Sequence, residues 1–189
     1  MLRIGIVGCG RILNAHLQGY RLLREQGVDS FRITALCARR REDALMFLRR
    51  GEGPPPRAPV IDSATGDPLA APHTYLSDFQ DGVQPHIFTE YRDLITSGHV
   101  DAINDLTTLS LHHQVGTAAL EAGKHLLTEK PLALTVRAGS RMVDLAAARR
   151  LTLGVVENVR QMPAVRAAAW AARRGMIGQV QLALMGSLG

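Results

Sequence analysis

Apolar positions change rhythm repeatedly along the 189 residues. Leu2 to Gly8 is a short apolar run that stops at glycine, the pattern of a strand buried on both faces. From Asn14 to Gln26, Ala15, Leu17, Leu22 and Leu23 recur at helical spacing, and Gly27 ends the run. Phe31 to Cys37 predicts a second strand. Arg41 to Arg50, carrying Ala44, Leu45 and Leu48, predicts a second helix ended by Gly51. The alternation resumes with strands at Ile87–Thr89, Ala102–Leu106, His125–Thr128 and Leu151–Val155. Between them lie helices at Glu90–Ser97, Leu111–Glu121 and Thr135–Arg149. Strands that alternate with helices imply right-handed parallel crossovers, so the expected class is α/β with a doubly wound parallel sheet.

Two segments break this rhythm. Residues 51–85 hold seven of the nine prolines: Pro54, Pro55, Pro56, Pro59, Pro68, Pro72 and Pro85. Such a long insertion is either a surface excursion or a lid or subunit contact. At the other end, Pro163–Arg174 predicts a helix with proline in its first turn, and Val180–Met185 a lone apolar strand. One strand cannot satisfy its own backbone or cover its face. The expected organisation is therefore a first domain over 1–158 and the beginning of a second, α+β domain over 159–189. Either the chain is a fragment, or another chain supplies the missing strands.

The first strand runs directly into Gly8-Cys9-Gly10-Arg11-Ile12-Leu13, which opens the first helix. That context gives a glycine pattern its meaning. Gly8 permits the tight turn and Gly10 lets a pyrophosphate approach the backbone. The free amides of the helix start, at Arg11 and Ile12, face the anion with the helix dipole behind them. Leu13 stands where the usual fingerprint has a third glycine. The alternative is a plain strand–turn–helix joint with no ligand. The second strand ends in Leu36-Cys37-Ala38-Arg39-Arg40-Arg41, with no acid to hold a ribose 2′-hydroxyl. Arg39 or Arg40 suits a 2′-phosphate, so NADP is favoured over NAD. A solvated arginine cluster is the other reading of the same run.

Charge narrows the partners. The net charge is +5, from 22 basic and 17 acidic residues, and all the basic ones except Lys124 and Lys130 are arginine. No basic tail interleaves with aromatics, which make up 4% of the chain, so nucleic acid is not an expected partner. No apolar run reaches the ~18 residues of a membrane span. Met1–Gly10 lacks the charged start and long apolar core of a signal peptide, so a cytoplasmic location is expected. Cys9 and Cys37 are expected inside strands, and His16, His73, His86, His99 and His113 show no ligand spacing. No metal is expected.

A second constellation follows. Asp101-Ala102-Ile103-Asn104-Asp105-Leu106-Thr107-Thr108-Leu109-Ser110-Leu111-His112 runs into a helix. Ala122-Gly123-Lys124-His125 and Glu129-Lys130-Pro131 come after it. Together with the glycine turn, these motifs resemble the Gfo/Idh/MocA family of NAD(P)-dependent oxidoreductases over almost the whole chain outside the insertion. The resemblance implies a Rossmann-type first domain and hydride transfer between NADP or NAD and a sugar, cyclitol or related hydroxyl or carbonyl substrate. It places Glu129 and Lys130 beside the nicotinamide ribose and substrate, with a cis or turn-forming Pro131 after them. Thr107 then lines the cofactor cleft, and His112 starts the next helix. Arg160 and Pro163 match an element at the entry to the second domain. Two positions depart from the pattern, Thr108 replacing a proline and Gln161 an aromatic, and the family's downstream acid–base motif has no counterpart by Gly189.

Lys130 is the candidate catalytic residue. Beside a cationic nicotinamide ring the charged form of a lysine is disfavoured, which suits proton transfer. Asp105, in an otherwise apolar strand, is either a strand-end carboxylate or a cleft residue. The competing function is a non-catalytic dinucleotide-binding module. A homo-oligomer through the second domain is a further expectation of the resemblance.

Overall fold

The computed structural model describes residues 1–58 and 60–182. Six strands, β1 (Leu2–Val7), β2 (Phe31–Cys37), β3 (His86–Phe88), β4 (Ala102–Asp105), β5 (His125–Glu129) and β6 (Leu153–Val156), form one sheet in the order β3-β2-β1-β4-β5-β6. The β1–β2, β2–β3, β1–β4 and β4–β5 pairs are parallel. The order reverses at β1, so successive crossovers leave the sheet on opposite sides and open a crevice at the carboxyl ends of β1 and β4.

The helices are α1 (Leu13–Glu25), α2 (Arg41–Leu45), α3 (Tyr91–Thr96), α4 (Leu109–Glu121), α5 (Val136–Ala148) and α6 (Pro163–Arg173). Two apolar cores result. Leu13 and Leu17 of α1, Ala44 of α2, Phe47 and Leu76 pack with Ile4, Ile6 and Ile33. On the other face Leu94, Val115, Leu120 and Met142 pack with Val7, Ala35 and Ile103. A register shift between Ile4 and Gly5 leaves Thr34 without a partner on β1. Phe31 and Ile33 therefore share a face with Leu36, while Ala35 and Cys37 face the opposite core. Thr34 turns its hydroxyl to the His99 carbonyl at 2.8 Å. One extra residue has exchanged the faces of everything after it, as a bulge must in a period-two strand.

The second helix is shorter than its pattern: α2 stops at Leu45 instead of Arg50. Beyond it the chain tightens to i→i−3 turns, Phe47 N on Ala44 O and Leu48 N on Leu45 O, and the insertion pairs with this stretch: the Phe47 and Leu48 carbonyls accept from Leu76 N (2.8 Å) and Ser77 N (3.1 Å). Residues 74–80 thus belong to the core. Leu76 is buried, and the Gln80 side chain pairs with both backbone groups of Ile33 at 3.0 Å. β3 is too short to cover this part of β2, and the Gln80 amide satisfies the backbone groups that would otherwise be orphaned.

Smaller differences fall at element ends, where one turn is easily gained or lost. The fourth helix starts at Leu109 rather than Leu111, and β6 at Leu153 rather than Leu151.

Residues up to Val155 form one compact unit, and a second begins at Val156. Within the second, Arg160 lies in a 3-10 turn, Pro163 opens α6, and the Arg174 guanidinium sits 5.9 Å from the centroid of the Trp170 ring. Of the expected Val180–Met185 strand, Val180–Leu182 carries none, and 183–185 lie outside the described residues.

Gly8 is the tightest point of the crevice. Its φ is +104°, and a Cβ there would meet the Leu106 carbonyl oxygen at 2.6 Å. Around Gly10 a Cβ would meet nothing within 4 Å. Gly8→Ala should cost about 2 kcal/mol or more through backbone strain and the clash. Gly10→Ala should stay within about 0.5 kcal/mol of the unmodified chain. Paired urea unfolding curves measure both, and equal losses would refute the distinction.

Candidate active site

Every sequence-predicted site residue lies in the first compact unit, at or beyond the carboxyl ends of β1, β2, β4 and β5. The glycine turn is anchored by Gly8 N donating to Cys37 O at 2.9 Å and Leu106 N to Val7 O at 2.8 Å. The first amide of the α1 start to find a backbone partner is that of Leu13, on Gly10 O at 3.3 Å. Among the described residues the Gly10, Arg11 and Ile12 amides have no such partner, and Ile12 caps the helix without a side-chain hydrogen bond. Unsatisfied amides with open space above Gly10 are what an anion needs at a helix start. Leu13 is buried in the core, so its place in the motif is filled by packing.

Arg39 and Arg40 are exposed beyond β2. Arg40 donates to Asp43 Oδ1 at 3.1 Å, and Arg57 of the insertion donates to the same oxygen at 2.7 Å. Partial burial works against the charged form of Asp43, but the two guanidiniums hold its carboxyl below the usual range. Arg11 reaches away from the turn to the Ala58 carbonyl.

At the other end of the crevice, Asp105 is fully buried. Its Oδ1 accepts from Thr107 N at 3.0 Å and Thr107 Oγ1 at 2.7 Å, and Thr128 Oγ1 stands 3.5 Å from Oδ2. The carboxylate therefore folds the loop after β4 back on itself, settling its place as a buried strand-end group. His112 is 2% exposed. Its Nδ1 lies 2.8 Å from Pro131 O and its Nε2 3.1 Å from Thr107 O, so the ring ties the loop after β4 to the loop after β5. His112 holds cleft backbone in place; its nitrogens face carbonyls.

Glu129 turns away from its neighbour's side chain. Its Oε1 accepts from His16 Nε2 at 2.7 Å, and its Oε2 from the Lys130 amide at 3.1 Å. The Lys130 side chain is left exposed, and the Lys130–Pro131 peptide is cis. Asn104 Nδ2 donates to Tyr20 Oη at 3.1 Å and stands 3.3 Å from His16 Nδ1. The network assigns the ring hydrogen of His16 to Nε2, facing the carboxylate. Burial pushes the Tyr20 phenol up to about 12, against the Asn104 hydrogen bond.

Sequence reasoning passed over His16, Asn104, Tyr20 and Arg57. A signal existed for two of them. His16 and Tyr20 stand four residues apart, one helical turn, so they share a face of α1. Asn104 and Arg57 had none, because their partners are distant in sequence. Cys9 and Cys37 are free and buried; burial raises both thiols, that of Cys37 to about 12, which leaves them inert.

Burial also raises the Asp105 carboxyl above its usual range, opposed by the Thr107 hydrogen bonds, the His112 charge and Thr128. A raised folded-state value means the contribution to stability is fullest below the unfolded value of about 3.9 and is lost as pH rises through the folded one. Asp105→Asn does not titrate. The melting temperature of the unmodified chain minus that of the variant should therefore fall as pH rises from about 4. A pH-independent difference would refute this.

Comparison with known proteins agrees with the geometry. Residues 2–157 match the family described as "Oxidoreductase family, NAD-binding Rossmann fold". A 1,5-anhydro-D-fructose reductase of Ensifer adhaerens is 38% identical over 91 residues, which is 48% of this chain and 27% of that protein. An NAD-binding oxidoreductase from Klebsiella pneumoniae superposes with a TM-score of 0.68 at 24% identity, over 94% of this chain and 40% of the other. A scyllo-inositol dehydrogenase from Lactobacillus casei, solved with NAD(H) and scyllo-inositol, gives 0.64 at 21% identity over 94% and 42%. The chain thus spans 27% to 42% of the length of these three proteins. Among the described residues no helix is long and apolar enough to cross a membrane. The match over residues 2–157 and the parallel six-stranded sheet make this chain a member of the Gfo/Idh/MocA family of NAD-binding Rossmann-fold oxidoreductases.

Proposed function

We propose that this chain serves hydride transfer between NADP(H) and a hydroxyl or carbonyl carbon of a sugar or cyclitol. One observation carries the reading. The unpartnered amides at Gly10–Ile12 and the exposed Lys130 lie on the same carboxyl-end edge of one parallel sheet. The residues present fit a dinucleotide: open space lies above Gly10 and exposed guanidiniums stand beyond β2.

The Gly10, Arg11 and Ile12 amides hold the diphosphate, with the α1 dipole behind them. Arg39 and Arg40 take the 2′-phosphate, and this is the ground on which NADP is favoured over NAD. Thr107 and Glu129 line the nicotinamide end. The Asp105 and His112 contacts keep the two loops that carry them at fixed separation. When bound, the cofactor supplies or accepts the hydride. Lys130 holds a proton at the substrate oxygen and gives it up or takes it as the reaction direction requires. Glu129, hydrogen-bonded to both His16 and the Lys130 amide, fixes the backbone from which that lysine extends. The names of the relatives, a sugar-derivative reductase and an inositol dehydrogenase, support the substrate class.

NADPH should bind more tightly than NADH in fluorescence titrations, and a preference for NADH would sink the NADP reading. In a version that also carries the second domain, Lys130→Ala should lower turnover about 100-fold or more in a cofactor-linked absorbance assay. Its cofactor affinity should stay within about threefold, the margin expected when only a proton-transfer group is lost. Equal losses of both would mean that the lysine only binds.

A further inference from the structure

The insertion is fastened to the glycine turn by two arginines that reach in opposite directions. Arg57 Nη1 donates to the Cys9 carbonyl at 3.0 Å, inside the turn itself. Arg11, from the turn, donates to the carbonyl of Ala58, the residue next to Arg57. A proline-rich segment that only wandered over the surface would not place a guanidinium against the backbone of the turn. Arg57 is also the better sheltered of the two arginines on Asp43, with its side chain 29% exposed against 73% for Arg40. Sheltered ion pairs are screened less by salt and solvent than exposed ones.

The charge balance there is uneven. Arg40 and Arg57 share one oxygen, Oδ1 of Asp43, with Glu42 next to it in the first turn of α2 and Arg39 exposed before it. Two guanidiniums on one carboxylate leave an excess of positive charge at that pair. The two contacts of Arg57 use only part of its donor set, leaving further N–H groups for an incoming anion. Arg11 and Arg57 both line a cavity of about 560 Å³, with one acid, Asp62, against the two arginines and with Phe47, Leu69 and His73 in its wall. A phosphate monoester near this rim would meet a planar fork with its geometry already set by Cys9 and Asp43, which suits bidentate recognition.

We propose that Arg57, carried in by the proline-rich insertion, is a specificity-determining residue for the 2′-phosphate of the dinucleotide. It acts with Arg39 and Arg40, from the side of the site that the β2 end cannot reach. This assignment rests on the NADP reading above. It makes the insertion part of the nucleotide site, and cofactor choice a property of residues 51–85 as well as of the run after β2.

The test is fluorescence titration of the full chain and its Arg57→Met variant with NADPH and with NADH. The variant should weaken NADPH binding about tenfold or more while NADH changes by less than about threefold, as loss of one charge-assisted phosphate contact requires. Equal weakening for both nucleotides would show that Arg57 only shapes the turn, and unchanged NADPH binding would show that it does nothing; either overturns the proposal. Should Arg57→Met fail to fold, Arg57→Lys keeps the charge but not the fork, and should lose NADPH affinity selectively though less. Asp43→Asn separates a phosphate contact from a strut. NADPH binding that holds or tightens supports the contact, whereas a loss equal to that of Arg57→Met overturns it. The unmodified chain tests the underlying reading by itself: failure to bind either nucleotide, or a preference for NADH, removes the NADP assignment whatever the variants do.

Discussion

Where the carboxyl ends of β1 and β4 lie side by side, Gly8 comes so near the Leu106 carbonyl that a Cβ on it would stand 2.6 Å from the oxygen. The rest of the site depends on that contact. β1 and β4 are the neighbours at which the strand order reverses, so the loops after them leave toward opposite faces. A side chain at Gly8 would wedge them apart at their base. Without one, the glycine turn and the loop through Thr107 share one crevice, each held by a single backbone hydrogen bond to the adjacent strand end. Turn and loop are thus set by a steric allowance more than by any attractive interaction.

From that point two polar systems carry order outward. On the β4–β5 side the carboxylate of Asp105, buried and satisfied by threonines, and the His112 ring, lodged between two carbonyls, convert flexible loop into fixed backbone. Burying a carboxylate is costly, and the three hydroxyl and amide donors around it offset that cost. Beside them, Tyr20, Asn104, His16 and Glu129 form a chain of hydrogen bonds from α1 to the Lys130 amide. On the β1–β2 side the work is done by guanidinium groups against carbonyls and one acid. The same crevice is therefore knit by carboxylate, imidazole and amide hydrogen bonds at one end and by guanidinium contacts at the other. That asymmetry suits a ligand with phosphates at one end and a reacting ring at the other.

The insertion shows how a fold absorbs extra chain. Its last part does the work of a missing strand segment, through Gln80 on Ile33, and its middle part reaches the turn through Arg57. Neither property follows from proline content, which speaks only of irregular backbone.

Much of this architecture was legible from residue order. Among the described residues, short apolar runs and helical spacing located the six strands of the sheet and the six α-helices, though the strand they predicted from Val180 is absent at 180–182, because burial is a local statement about which residues are apolar. The glycine turn and Glu129-Lys130-Pro131 could be found for the same reason, since each motif is contiguous. What residue order could not decide was anything that depends on two distant segments meeting. The pairing of Phe47 and Leu48, just past α2, with Leu76 and Ser77 was set by the insertion, the crossing of faces at Thr34 by the register against β1, and the pairing of His16 with Glu129 by the fold across 113 positions. Hydrogen bonds and charge pairs are short-ranged and directional, so their partners exist only once the chain has brought them together.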